Sequence, residues 1–374
     1  MKKVFRLISV NLLMLLSLII IIEIFLHIIP PFDRFITYYD AEARSRNEGA
    51  DKEYTYVGNN IGMISEFKVH VKNNSLGFHD SEHIFSKKAN TYRILVLGDS
   101  QVESIQVDLS KTFFKILEKK FNNEGFRVEV IALGESGYGP KEALDLYENI
   151  GRKYNPDIVI WSFTNNNDIQ DSYWEFGRII RDRKLEGSPE IPDFLKFSKI
   201  ATYLYTRKWK HDGISSTQLT DTAFFKGEFS YINEVDNWDQ IVFLKHWPPI
   251  FEQAWNSFTK YYLDLIEKVR NDGKILITIS SSGAYPYFLL NSNENIDWDF
   301  DKPNRLVEEL SNENSMRFIS MKATNDLFIK KTGENVVFKN DGHLNEAGHK
   351  LVAKILYSEI KNYLTPQNNP MVLK

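Results

Sequence analysis

Cysteine is absent from the 374-residue sequence, and no long block of one charge sign occurs. Without cysteine there can be no disulfide, thiolate metal site, cysteine nucleophile or lipoprotein-type acylation. The lack of cysteine does not indicate a cellular compartment, because a domain of this size does not need disulfide bonds to fold. Lys and Arg number 46 against 50 Asp and Glu, for a net charge of −4. Nucleic-acid-binding proteins usually carry a basic face, so a nucleic-acid partner is not expected.

An apolar run stands at the amino terminus instead. Lys2, Lys3 and Arg6 precede a mainly apolar stretch at 7–26, which is 20 residues long. A helix of about 20 apolar residues crosses a bilayer, and its positive flank stays in the cytoplasm. Residues 1–30 are therefore predicted to form an uncleaved, single-pass anchor in the cell membrane, with the soluble domain on the extracytoplasmic side. A cleaved signal peptide is the alternative, but "EIFLHIIPPF" lacks the small residues of a cleavage site.

The rest of the chain divides by composition. Residues 31–90 are polar and turn-rich, and form a lead-in segment to a main domain at 91–366 with a tail at 367–374. From Tyr92 onward, apolar strands alternate with helical stretches, which predicts an α/β fold: a flavodoxin-like three-layer αβα sandwich around a parallel sheet of about five strands. An insertion at about 172–247 breaks this rhythm. Predicted strands lie at 93–97, 128–133, 157–163, 274–280 and 316–320, and the main helices at 108–125, 140–154, 250–271, 304–313 and 345–363.

Five residues are candidates for chemistry at one rim of the sheet. Ser100, Gly137 and Asn167 each follow a strand, and ligands of such sheets bind at the carboxyl ends of the strands. A serine nucleophile needs a base, and the base needs a group that holds its ring. His343 precedes the last helix on the same rim, with Asp341 two residues before it. The backbone of Gly137 and the amide of Asn167 could bind an oxyanion. Each residue taken alone is more simply a turn or a strand end.

Four short motifs together resemble the SGNH hydrolases, also called the GDSL esterase/lipase family. They are "GDSQVES", "GESG", "NNND" and "DGHLNEAGH", and the resemblance runs from about residue 74 to residue 364. It implies Ser100 as nucleophile and backbone oxyanion donor, Gly137 and Asn167 as further donors, His343 as base and Asp341 as its partner. No cofactor or metal is implied. The "NNSLGFHD" stretch and the anchor are similar to membrane-anchored bacterial members near cell-surface polysaccharide pathways.

The motifs depart from the family's pattern at three positions. Ser104 stands where the family usually has glycine, and Asn165 replaces another glycine, so that Asn166 is an alternative to Asn167 in register. The family often places aspartate three residues before the histidine, where this chain has Asn340.

The resemblance implies a serine esterase that acts on ester groups, O-acetyl above all, of an extracytoplasmic carbohydrate through an acyl-serine intermediate. Two alternatives stay open: an O-acyltransferase of polysaccharide assembly, and a catalytically silent glycan-binding module. Aromatic residues of the insertion, among them Tyr173 and Trp174, could stack on sugar rings. A metal site that combines Asp99 and Asp341 with His343 and His349 is disfavoured by the six-residue spacing of the histidines. The sequence predicts no oligomeric state.

Overall fold

The computed structural model describes residues 2–28, 50–57, 66–172, 198, 200–201, 238–247, 249–280, 297–339 and 341–364. Most of the predicted insertion, with its aromatic residues, lies outside the described residues, as do the tail at 367–374 and Asn340.

A parallel sheet forms the centre of the main domain. Two antiparallel strands, β1 (Glu53–Val57) and β2 (Lys68–Lys72), precede it. The strands of the parallel sheet are β3 (Tyr92–Gly98), β4 (Val128–Gly134), β5 (Ile158–Phe163), β6 (Ile275–Ser280) and β7 (Arg317–Ser320). They lie in the order β4-β3-β5-β6-β7, with every neighbouring pair parallel. This is the flavodoxin-like strand order, so the predicted fold and strand number are confirmed.

Helices connect the strands and precede the domain. They are α1 (Lys2–Ile28), α2 (Ser100–Glu103), α3 (Phe113–Asn123), α4 (Pro140–Asn149), α5 (Asp168–Asp171), α6 (Pro249–Asn271), α7 (Lys302–Glu313), α8 (Lys322–Thr332) and α9 (Glu346–Leu364). The helix α8 and the β1–β2 pair were not predicted from the sequence, because both lack a long apolar pattern.

The sheet is covered on both faces, which explains the unbroken apolar strands. Along β3, Leu95 and Leu97 pack in one cluster with side chains of α4 and α6, whereas Ile94 and Val96 pack in a second cluster with α3 and α9. Successive strand residues point to opposite faces, so one strand serves both clusters. The protein therefore has three layers, and the rims of the sheet are left free for polar groups.

The amino-terminal run forms the helix α1. Many of its apolar side chains are exposed, from Phe5 to Ile24. Glu23 accepts hydrogen bonds from the Ser198 hydroxyl and the Ile200 N–H, both at 3.1 Å. Among the described residues, however, no helix qualifies as long and apolar enough to span a membrane. The transmembrane helix predicted over residues 1–30 is not confirmed.

The lead-in segment packs against the main domain near the strand ends. Phe78 is buried in the larger apolar cluster, and the Asn74 side chain accepts hydrogen bonds from the Leu76 and Phe78 N–H groups, both at 3.0 Å. His79 is buried, and its Nδ1 lies 3.0 Å from the backbone oxygen of Glu103 at the end of α2. The "NNSLGFHD" stretch thus holds the short helix that begins at Ser100.

Candidate active site

The carboxyl ends of three neighbouring strands bring the predicted site residues to one rim. Gly98 of β3 pairs in register with Gly134 of β4 and Ser162 of β5. Ser100, Gly137 and Asn167 follow these strands within a few residues. Chain order reverses at β3, which lies between β4 and β5, and such a switch point is where ligands of open α/β sheets bind.

Close packing at the end of β3 sets the position of Ser100. A Cβ on Gly98 would lie 2.5 Å from Val102 Cγ2, and one on Gly134 would lie 2.5 Å from Val102 Cβ. Only glycine therefore lets α2 approach both strands this closely. Asp99 caps α2, because its Oδ1 accepts a hydrogen bond of 2.9 Å from the Gln101 N–H. The half-buried Ser100 begins the helix immediately at the strand end.

Ser104, where the resemblance expects glycine, ends α2 in the left-handed conformation with φ 53°. That conformation favours glycine, because it brings a Cβ close to the backbone. The Ser104 hydroxyl donates a hydrogen bond of 2.7 Å to the Gln101 carbonyl, which helps to hold it. The departure therefore keeps the backbone shape that a glycine would adopt.

A side-chain tie brings the histidine loop to the serine helix. Gln101 Oε1 accepts a hydrogen bond of 3.1 Å from the Leu344 N–H. The loop closes on itself, since the Phe338 N–H donates to the His343 carbonyl at 2.9 Å. The neighbour of Ser100 is thus bonded to the neighbour of His343, although 243 residues separate Gln101 from Leu344.

Asp341 and His343 are in direct contact. His343 Nδ1 lies 2.5 Å from Asp341 Oδ1, and the aspartate side chain is 4% exposed against 25% for the histidine. Burial alone would lower the pKa of His343, but the hydrogen bond and charge of Asp341 outweigh it, with help from Asp99 and Glu103, and the pKa is raised. An Nδ1–H held by a carboxylate leaves Nε2 as the atom that can take a proton.

Two backbone donors point to no acceptor within the described part of the chain. The Ser100 N–H and the Gly137 N–H make no hydrogen bond there. Gly137 has φ 81°, and no atom lies within 4 Å of the place a Cβ would occupy. Likewise, no hydrogen bond joins the Ser100 hydroxyl to His343 Nε2 among these residues. Catalytic hydrogen bonds are often long in unliganded enzymes and tighten with substrate.

Asn167 lies on the rim, but carboxylates hold its amide. Its Nδ2 donates to Asp99 Oδ2 at 3.2 Å and to Asp171 Oδ2 at 2.9 Å. Asn167 Oδ1 is buried without a hydrogen-bond partner among the described residues. To bind an oxyanion, Nδ2 would have to give up one carboxylate. The alternative Asn166 is half-buried, and Asn165 is buried.

Two buried carboxyl groups lie beneath the rim. Burial raises the pKa of Asp99, although Gln101, Asn167 and Thr164 donate hydrogen bonds to it. Burial and the charge of Asp99 raise the pKa of Asp168 well above its usual range. Asp168 Oδ2 accepts from the Thr164 N–H at 2.8 Å, whereas its Oδ1 has no partner in the described residues. Burial and the neighbouring Asp99 thus disfavour the charged form of Asp168.

His349, which the metal alternative required, has a structural place. It is 1% exposed, and its Nδ1 accepts a hydrogen bond of 3.2 Å from the Phe113 N–H. Burial lowers the pKa of His349 to about 3, so it is neutral. No cluster of three or more His, Asp or Glu side chains suited to a metal ion occurs in the parts of the chain described.

Sequence reasoning missed several residues of this rim. Gln101, Glu103, Thr164 and Asp171 all contact the predicted site residues or their loops. Gln101 and Glu103 stand inside the "GDSQVES" motif, so their nearness to Ser100 was the available signal. Their partners are far away in sequence, and only the folded chain identifies them.

Comparison with known proteins gives distant structural neighbours only. No protein-family model matches the chain, and no curated protein matches it. Three solved structures overlap with 72% of it: an acetyl xylan esterase, AlAXEase (14% identity, 99% of that chain, TM-score 0.42), a lipolytic protein of the G-D-S-L family from Veillonella parvula (14%, 98%, 0.39), and a catalytic mutant of an acetylxylan esterase from Geobacillus stearothermophilus (12%, 94%, 0.40). Likeness at this level by itself assigns no activity to the chain.

Proposed function

We propose that this protein is a serine esterase of the SGNH type, with Ser100 as nucleophile and His343 as its base. The observation that carries the proposal is the joined pair of loops. Asp341 holds His343 Nδ1 at 2.5 Å, and the Leu344–Gln101 hydrogen bond brings that histidine loop to the helix of Ser100. A hydroxyl, an oriented imidazole and two backbone donors without partners in the described chain are the parts that acyl transfer needs.

The reaction proceeds in two halves. His343 Nε2 takes the hydroxyl proton as Ser100 Oγ attacks the ester carbonyl, and the N–H groups of Ser100 and Gly137 bind the oxyanion. Asn167 becomes a third donor when its Nδ2 gives up the hydrogen bond to Asp99 or Asp171 and donates to the oxyanion instead. The intermediate collapses, the alkoxide leaves with the proton from His343, and the acyl group stays on Ser100. Water then attacks this ester while His343 takes a proton from it; the bond between the acyl carbon and Ser100 Oγ breaks, His343 returns the proton to Oγ, and the free acid is released.

The substrate is proposed to be an O-acetyl ester of a carbohydrate, because the "NNSLGFHD" stretch and the amino-terminal apolar run are similar to exported bacterial members of the family near cell-surface polysaccharide pathways. An O-acyltransferase would share the acyl-Ser100 intermediate and differ only in its second acceptor.

The decisive experiment measures acetate release by the full-length, detergent-solubilised chain from p-nitrophenyl acetate and from an acetylated sugar. Ser100→Ala should abolish turnover. Ser358→Ala, an exposed serine on α9, serves as the matched control and should leave turnover unchanged. Turnover retained by Ser100→Ala would refute the mechanism. Acetyl release that needs an added sugar acceptor would identify a transferase, and glycan binding without any turnover a silent module.

The place of the protein is a separate proposal. We infer from the cations before the apolar run that the first 30 residues attach it to the cell membrane with the domain outside the cytoplasm. In intact cells, an added protease should then cleave the domain, while the chain sediments with membranes after alkaline carbonate washing. Recovery of the chain in the soluble fraction, or protection from the protease, would refute this.

A further inference from the structure

Glu103, which the mechanism above does not use, connects the serine helix to the loop of Gly137. It is the last residue of α2 and is only 8% exposed. Its Oε2 accepts two hydrogen bonds from Ser136, one from the backbone N–H at 3.2 Å and a short one from the hydroxyl. Ser136 directly precedes Gly137, so the carboxylate holds the peptide next to the proposed oxyanion donor.

The contact between Glu103 and Ser136 lies beside other close contacts of α2 with the end of β4 and with the lead-in segment. A Cβ on Gly134 would lie 2.7 Å from the Glu103 N–H nitrogen, so the end of β4 already presses on α2. The backbone oxygen of Glu103 faces His79 Nδ1 at 3.0 Å, which holds the end of α2 from the other side. Ser136 and Gly137 themselves are exposed. Among these residues, the Glu103 carboxylate is the buried group that grips an otherwise solvent-facing turn.

We propose that Glu103 is a positioning residue that fixes the Gly137 N–H relative to Ser100. Oxyanion donors act only where charge develops in the transition state, and they must stay in place to act. A turn that moved freely would place the Gly137 N–H correctly for only part of the time. The inference rests on the proposed esterase function, but its geometric content, an ordered turn at 134–139, does not.

The test compares Glu103→Ala, Glu103→Gln and Ser136→Ala in the full-length chain. Glu118→Ala is the matched control, because Glu118 also uses a carboxylate oxygen to accept a backbone N–H of β4, from Val130 at 3.1 Å, away from the rim. Two quantities are measured: amide hydrogen exchange of the 134–139 peptide, and kcat per active site titrated with a p-nitrophenyl phosphonate.

Glu103→Ala should speed amide exchange in the 134–139 peptide and lower kcat by about 10- to 100-fold with KM changed less than about 3-fold, since an oxyanion donor acts in the transition state. Glu103→Gln keeps an acceptor oxygen, so its amide exchange at 134–139 and its kcat should both be close to those of the wild type. Ser136→Ala should give values between those of the wild type and Glu103→Ala. Glu118→Ala should leave kcat per titrated site unchanged.

Two results would overturn the inference. One is unchanged amide exchange at 134–139 in Glu103→Ala. The other is a Glu103→Ala protein with fewer titratable active sites but an unchanged kcat per titrated site, as expected of a protein that is only destabilised. If the wild-type chain shows no esterase activity, or Ser100→Ala keeps it, the proposed function fails, and the exchange measurement alone then decides the role of Glu103.

Discussion

The two ends of strand β3 differ in whether all the hydrogen-bond donors near them have a partner. At the amino end, Arg93 is fully buried and each of its guanidinium nitrogens is bonded: Nε to Glu129 at 2.7 Å, Nη1 to the Phe85 and Tyr154 carbonyls, and Nη2 to the Ile84 carbonyl. At the carboxyl end, Asp99 is equally buried and accepts hydrogen bonds from Gln101, Thr164 and Asn167. The backbone N–H groups of Ser100 and Gly137 at the same rim, however, have no partner within the described residues.

This difference separates stability from function. A buried ion with all its hydrogen bonds made holds segments together, whereas donors left open near a strand end are available to a ligand. The pKa values agree with this contrast. Burial acts against ionisation of Glu129, but the hydrogen bonds of His83 and Arg93 outweigh it and lower its pKa to about 2, whereas burial raises the pKa of Asp99. We call the amino end of β3 the saturated end, because every guanidinium nitrogen of Arg93 is hydrogen-bonded, and the carboxyl end the unsaturated end, because the Ser100 and Gly137 N–H groups have no partner in the described residues.

The largest effect is expected from removing the proposed base, His343, at the carboxyl end of β3. His343→Ala should lower kcat/KM for p-nitrophenyl acetate by about 10³-fold or more, because Ser100 then loses its proton acceptor. Asp341→Ala should cost less, since the imidazole remains. His70→Ala, at an exposed histidine paired with Glu53, is the control and should retain full activity. Equal losses for Asp341→Ala and His343→Ala, with both proteins folded, would contradict this ranking.

The second-largest effect is expected from replacing the buried Arg93 at the saturated end, and it is an effect on stability. Arg93→Met leaves Glu129 and several carbonyls without their buried donor and should lower the free energy of unfolding by about 3–5 kcal/mol, measured by urea denaturation. Catalysis per folded molecule should be unchanged. Arg152→Met is the control, because Arg152 pairs with Asp272 while 43% exposed and should cost less than about 1 kcal/mol. A large loss of kcat in folded Arg93→Met would show that the two ends are coupled.

The saturated end should also show a pH dependence. Burial lowers the pKa of His83, but its contacts with Asp80 at 3.1 Å and Glu129 at 2.8 Å outweigh burial and raise it to about 9. A raised histidine pKa stabilises the fold below the unfolded value of about 6.5, and this contribution disappears as pH rises to about 9.

Urea unfolding at several pH values should therefore show that the free energy of unfolding falls by about 3 kcal/mol as the pH rises across this range. This fall should be absent in His83→Gln. His70→Gln is the exposed control and should keep the wild-type slope. A wild-type slope in His83→Gln would assign the pH dependence to another group.

The smallest effect is expected at the end of α2. Ser104→Gly relieves the left-handed conformation but removes the hydroxyl bond to Gln101, so stability should change by less than about 1 kcal/mol. Asn90→Gly is the matched control, since Asn90 also has a positive φ of 58° and is exposed. A loss of activity in Ser104→Gly without a loss of stability would mean that the Ser104 hydroxyl serves the site.

Much of the fold was predictable because its signals are local. The apolar strands and amphipathic helices of the main domain were placed within a few residues, since periodicity and length suffice to recognise them. The β1–β2 pair was missed because its alternation is short and polar, and the helix Lys322–Thr332 because it buries little apolar surface. The predicted anchor, insertion and tail remain predictions, because the structure did not confirm the first and the others lie largely outside the described residues.

The sequence by itself determined which residues reach the rim, because strand ends of a parallel sheet share one edge whatever the details of packing. This reasoning covers Ser100, Gly137 and Asn167, which follow β3, β4 and β5. His343 instead follows the helix α8, and the Leu344–Gln101 hydrogen bond brings its loop to the rim. Only the tertiary structure decided the contacts among them: that Asp341 meets Nδ1, that the Asn167 amide faces Asp99 and Asp171, and that Glu103 grips Ser136. The physical reason is that hydrogen-bond partners are chosen by position to within tenths of an ångström, and side-chain packing from distant segments sets that position.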